Sequence, residues 1–186
     1  PSVIVETVHG RDDLEDADAL RFRLARAVEF ARPEHILLST RGEAEGRRLV
    51  EAVVAAFGPR ASSEPMTDLP PDVTELAGEL WRLLPPAAQT EATEILTELG
   101  GDLDYGAMSM GLRCRAACAG LAACGRIGPS VRGLSADDES LANITITTEA
   151  EYIRACVDSK PLRSLLRFAL SDEYLAAHSL TATYTP

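Results

Sequence analysis

Proline and glycine cut this chain at short intervals. Pro33, Gly58-Pro59, Pro70-Pro71, Pro85-Pro86 and Gly100-Gly101 divide its first hundred residues into short segments. A proline inside a helix removes a hydrogen bond and clashes with the preceding turn. Glycine just past a helix end supplies the left-handed residue that closes it. A chain punctuated in this way folds as many short elements, and their faces decide the architecture.

Residues 2–8 (SVIVETV) alternate and are β-branched, which predicts a strand. Leu14, Ala17, Leu20, Leu24, Ala27, Val28 and Ala31 recur at helical spacing, so 12–31 reads as a helix with that stripe as its core face. Asp12, Asp13 and Glu15 suit its first turn. Pro33 ends it, and the apolar run HILLST (35–40) suits a buried strand. Thr40 and Glu43 have capping-box spacing before the stripe Leu49, Val50, Val53, Val54 and Phe57. Residues 1–58 thus read as a β-α-β-α unit.

A loop over 59–71 leads to a helix-rich remainder, 59–186, in the same domain. Helices are expected over 72–84, over 87–99 with Pro86 opening it, and over 103–123. A loop is expected around Gly125, Gly128, Pro129 and Gly133, and a strand over 143–148 (NITITT). Thr148 and Glu151 make a second capping box for a helix over 149–158. A helix over 161–170 and a short one capped by Ser171 follow, and the alternating tail SLTATYTP suggests an edge strand. The expected fold class is α/β, a small mainly parallel or mixed sheet with a helix-rich second half.

At 186 residues, 46% hydrophobic and 25% charged, the chain can bury a core without staples. Its net charge of -11 disfavours nucleic acid, which selects concentrated Lys and Arg. No run of 18 apolar residues predicts a membrane span, and no signal peptide is visible. The expected compartment is cytoplasmic, where four cysteines stay reduced.

An N-terminal proline, an alternating strand, Gly10-Arg11, an amphipathic helix and the run PEHILLS (33–39) together resemble the opening of the tautomerase superfamily. The resemblance covers about forty residues. It implies that the Pro1 amine acts as general base and that Arg11 holds a substrate carboxylate; His9, beside Gly10-Arg11, is placed by sequence to reach such a site and assist. The family's hairpin after the second strand has no counterpart, since a helix is predicted from 41. The first sixty residues also resemble the opening of family-2 glycosyltransferases. The nucleotide-holding acidic turn of that family is here Ser39-Thr40-Arg41-Gly42, without an acid.

Thr40, Arg41 and Gly42 precede a helix start, whose free N–H groups and dipole favour anions. Cys114, Cys118 and Cys124 follow a C-x3-C-x5-C pattern, and the first two share a helix face. Their Ala, Gly and Leu neighbours make them, like Cys156, small core residues rather than metal ligands. No metal and no cofactor is expected. Leu76, Leu80, Leu83 and Leu84 around Trp81 form one strong apolar face, and Leu162, Leu165, Leu166 and Ala169 another. The leading reading is an intracellular module that binds a protein partner or small ligand through its helical part. It associates with that partner, or with itself, through apolar helix faces, without nucleic acid or membrane. The alternative is a tautomerase-like enzyme using Pro1 on a small keto- or unsaturated carboxylate.

Overall fold

The computed structural model describes residues 17–59, 69–137, 141 and 148–176. Among these residues the fold is all-α, without a strand, so the α/β expectation is corrected. The helices are α1 (Ala17–Phe30), α2 (Ile36–Thr40), α3 (Glu43–Phe57), α4 (Pro71–Leu83) and α5 (Pro86–Glu98). They continue with α6 (Tyr105–Cys124), α7 (Ile127–Asp137), α8 (Glu149–Asp158) and α9 (Lys160–Ala169). One further turn of helix covers 172–176.

The predicted strand at 35–40 is the helix α2. Ile36 N–H donates to Arg32 C=O at 3.0 Å, and Ser39 N–H to His35 C=O at 3.0 Å. Ser39 Oγ closes the turn by donating to Phe30 C=O at 2.8 Å. Short apolar runs are ambiguous between strand and helix. Here Leu37 and Leu38 are good helix formers, and no strand lies among the described residues to pair with the run. The predicted strands at 2–8 and in the tail lie outside the described residues, as does 143–147. The loop expected around Gly128, Pro129 and Gly133 is instead α7. Pro129 is in its first turn, where the missing N–H costs nothing. At the start of α3 the N-cap is Gly42, not Thr40, and no side chain caps it.

The chain divides into two compact units. In the first, the described residues up to Ser39 and from Met110 on surround one core. Phe22, Leu121, Leu134, Leu162 and Leu165 are its large buried side chains, with Ala117, Cys124, Leu141, Ala155 and Tyr174. Phe22 is fully buried between two glycines. A Cβ on Gly120 of α6 would lie 2.5 Å from its ring, and one on Gly133 of α7 would lie 2.6 Å away. Two helices thus approach α1 closely through missing side chains. The predicted α9 face (Leu162, Leu165, Leu166, Ala169) points into this core.

The second unit, Thr40–Ser109, packs α3 against α4 and α5. Ala52, Val73 and Ala77 form its centre, with Leu69, Leu76 and Leu80 alongside. Trp81 stacks on Phe57, ring centroids 5.4 Å apart. Gln89 Nε2 donates to the C=O groups of Trp81 and Leu84, at 2.7 and 2.9 Å, which ties the Pro85-Pro86 corner. Gly100 and Gly101 take φ of 66° and 74° and close α5, the left-handed geometry that favours glycine.

Candidate functional site

The face that α1 turns inward is not its apolar one. Its buried residues are Phe22, Arg26 and Glu29. Leu20, Leu24 and Val28 follow one another at i+4 and are 38%, 38% and 61% exposed. They run along about 12 Å of helix. An amphipathic helix normally turns such a stripe to its core, so the expected core face of this helix is corrected to an outer face.

The inward polar residues are held by their own contacts. Arg26 stacks over Phe22 and Phe30, with 5.4 and 5.8 Å from its guanidinium carbon to the ring centroids. Arg32 donates to Glu29 Oε2 at 3.3 Å. Its guanidinium is held above its ordinary range, first by that bond and then by the Glu34 charge. Glu29 Oε1 is buried and makes no hydrogen bond, although His35 Nε2 lies 3.3 Å away; the two are close but not aligned. Arg115 Nη1 of α6 lies 3.4 Å from the same ring nitrogen. This cluster lets α1 bury its polar side, because each charge meets an opposite charge or an aromatic face. At the helix start Asp18 takes Arg21 at 3.1 Å and Arg126 at 2.8 Å.

Other apolar side chains stand out singly or in pairs. Trp81 and Leu83 of α4 are 48% and 78% exposed, so the predicted face around Trp81 is split. Leu76 and Leu80 are turned to the core, Leu83 to the outside. Ile95 of α5 and Leu99 just past it are also about half exposed. A cleft of about 490 Å³ beside α3 has Arg47, Arg48, Glu45, Glu51 and Asp72 in its walls. Its cations are engaged, Arg47 with Glu43 at 2.7 Å and Arg48 with Asp72 at 3.6 Å.

The sequence-predicted site residues fall in several places. Pro1, His9 and Arg11 lie outside the described residues. The stretch 33–39, aligned by resemblance with a second strand, is a turn running into α2. Thr40 ends α2, and Gly42 precedes a first turn that carries Glu43 and Glu45. Arg41 pairs with Glu45, so an anion arriving there meets two carboxylates and an occupied guanidinium.

All four cysteines are free thiols. Cys118 donates to Ser164 C=O of α9 at 3.7 Å, and Cys124 sits in the core. Among the described residues no group of three His, Cys, Asp or Glu is placed to hold a metal ion. Burial, with the nearby Cys114 and Glu173, pushes the Cys118 thiol up from 9.0 to about 11. Cys118 therefore alkylates about a hundredfold more slowly than a solvated thiol at pH 8, since only the thiolate reacts. Its stabilising contribution as a neutral thiol is complete below the unfolded value and is lost as pH rises through about 11. Mass-resolved iodoacetamide kinetics between pH 7 and 10 check the first point. Labelling of Cys118 at the rate of a free peptide would contradict the packing of α6 on α9.

No protein-family model matches the chain, and no curated protein or solved structure is recognisably similar to it. Among the described residues no helix is long and apolar enough to cross a membrane. The α1 stripe is the feature sequence reasoning misassigned. Phe22, Arg26 and Glu29 repeat at i, i+4 and i+7 on the opposite face, and their spacing does not mark that face as the inner one.

Proposed function

We propose that the chain is an intracellular helical module that binds another protein through the outer face of α1. The observation that carries this reading is the inversion of α1. Its best apolar stripe faces outward while Arg26 and Glu29 are buried. Scattered exposed leucines are ordinary. A continuous stripe is not, because it leaves apolar area in water that docking would remove. Four unpaired thiols suit a reducing compartment. An acidic chain favours a protein partner over nucleic acid or an anionic lipid surface.

The test is a photocrosslinking amino acid at Val28, the most exposed stripe position, in the cell of origin. The expected result is an adduct of defined mass that disappears when Leu24→Asp is added. The same label on Arg163, an exposed residue of α9 away from the stripe, is expected to give none. Equal labelling from both positions, or no adduct at Val28, overturns the reading.

A further inference from the structure

The ring of His35 stands between two groups of opposite charge. Its Nε2 lies 3.3 Å from Glu29 Oε1 of α1 and 3.4 Å from Arg115 Nη1 of α6. A ring nitrogen carries either a proton or a lone pair, so Nε2 serves one of these partners at a time. Arginine only donates, so a bond from Arg115 requires the lone pair; a bond to Glu29 requires the proton. The His35 and Glu29 side chains are only 12% and 10% exposed, so water is a poor substitute for either partner.

The Glu29 carboxylate has a place for one more donor. Oε2 accepts from Arg32 at 3.3 Å, whereas Oε1 is buried and makes no hydrogen bond. A buried acceptor without a donor is destabilising. Among the described residues, the other charged groups around the ring are Glu34, its neighbour in the chain, and Arg32, which bridges Glu29 and Glu34. Arg26, one turn back on α1, is stacked on Phe22 and Phe30. Arg115 is exposed, and its side chain has no partner but His35 among the described residues. It is therefore the group around the ring that is free to leave for solvent.

We propose that His35 is a proton-operated joint between α1, the start of α2 and α6. With a neutral ring, the proton is on Nδ1 and Arg115 Nη1 donates to Nε2. A proton taken up at Nε2 is donated to Glu29 Oε1, and Arg115, now facing a cationic ring, turns out to solvent. Histidine is the side chain whose ordinary titration falls between pH 5 and 8, so a modest fall in pH exchanges the partners. The bond gained is charge-assisted and completes the hydrogen bonding of the buried carboxylate. The inner face of α1 thereby gains a tie to the start of α2, and α2 loses its tie to α6. The proton is the sole species that moves in or out, and no covalent bond of the chain changes. The inference uses the inner face of α1 and does not depend on what its outer stripe binds.

The test is ring-nitrogen NMR of the full chain with isotope-labelled histidine, at pH 8 and at pH 5. His35→Asn identifies the His35 signals among those of His9 and His178. At pH 8 the expected state is the Nδ1–H tautomer. At pH 5 both nitrogens are protonated, and the Nε2 proton exchanges with water about tenfold or more slowly than in a solvated imidazolium, because Glu29 holds it. Arg115→Ala removes the donor to Nε2, so its ring is expected to take the Nε2–H tautomer at pH 8 and to donate to Glu29. Glu29→Gln removes the charge that holds the acid-state proton, and its exchange is expected to speed up. Far-UV circular dichroism confirms that each variant is folded, and Arg115→Ala, at an exposed position, stands by itself should Glu29→Gln unfold. A wild-type Nε2–H tautomer at pH 8 overturns the proposal. So does a ring whose charge is the same at pH 5 and pH 8, an unprotected Nε2 proton at pH 5, or an unchanged tautomer in Arg115→Ala.

Discussion

Replacing Phe22 by alanine lowers the stability of the first unit by about 3–5 kcal/mol, the usual cost of deleting a buried phenylalanine ring. The ring is 0% exposed and fills the space that Gly120 and Gly133 leave open. Alanine leaves a cavity there that α6 and α7 close only by moving together. The converse substitution tests the same contact. Gly120→Ala sets a methyl 2.5 Å from the ring. Overpacking of this kind costs about 1–3 kcal/mol. In a Phe22→Leu background the added methyl meets a smaller side chain, so the two changes are non-additive. Urea unfolding followed by far-UV circular dichroism measures wild type, Phe22→Ala, Gly120→Ala, Phe22→Leu and the Phe22→Leu/Gly120→Ala double variant. A neutral Gly120→Ala would show that Phe22 is not clamped between these helices.

Replacing Leu165 by alanine is expected to cost about 2–5 kcal/mol, while Leu24→Ala costs about 0.5 kcal/mol or less. Both leucines belong to apolar stripes at helical spacing, the one that carries Leu165 being the more sharply segregated from polar residues. Leu165 is 0% exposed, deep in the first core, and Leu24 is 38% exposed on the outside of α1. Alanine is also the better helix former, which offsets part of the lost burial at Leu24. Paired urea curves decide the matter. Equal losses at both positions would mean that the α1 stripe is core after all, and the binding face would be withdrawn.

Much of the local structure was legible because its causes are local. Thr148 and Glu151 form the capping box their spacing predicts. Glu151 N–H donates to Thr148 Oγ1 at 3.3 Å, and Thr148 N–H to the Glu151 carboxylate at 2.9 Å. Pro86 opens α5, and Ser171 Oγ accepts from Tyr174 N–H at 3.3 Å to start the turn over 172–176. Each of these needs only neighbours within a few residues. The errors came where distant neighbours decide. HILLST carries no period long enough to separate strand from helix, and a strand exists only with another strand to pair with. Gly128, Pro129 and Gly133 read as a loop from composition. Gly133 is tolerated in α7 because Phe22 packs against its bare backbone.

The candidate face shows the same division. The sequence by itself determined that α1 has an apolar stripe of Leu20, Leu24 and Val28, and where most helices begin and end. Those properties reside in spacing, capping and local charge. The tertiary structure alone decided which side of α1 is inside. Phe22 finds two glycines on separate helices, Arg26 finds two aromatic rings, and Glu29 finds Arg32 and His35. Burial of a charged face is feasible only when its partners arrive from elsewhere in the fold. No helical period carries that information.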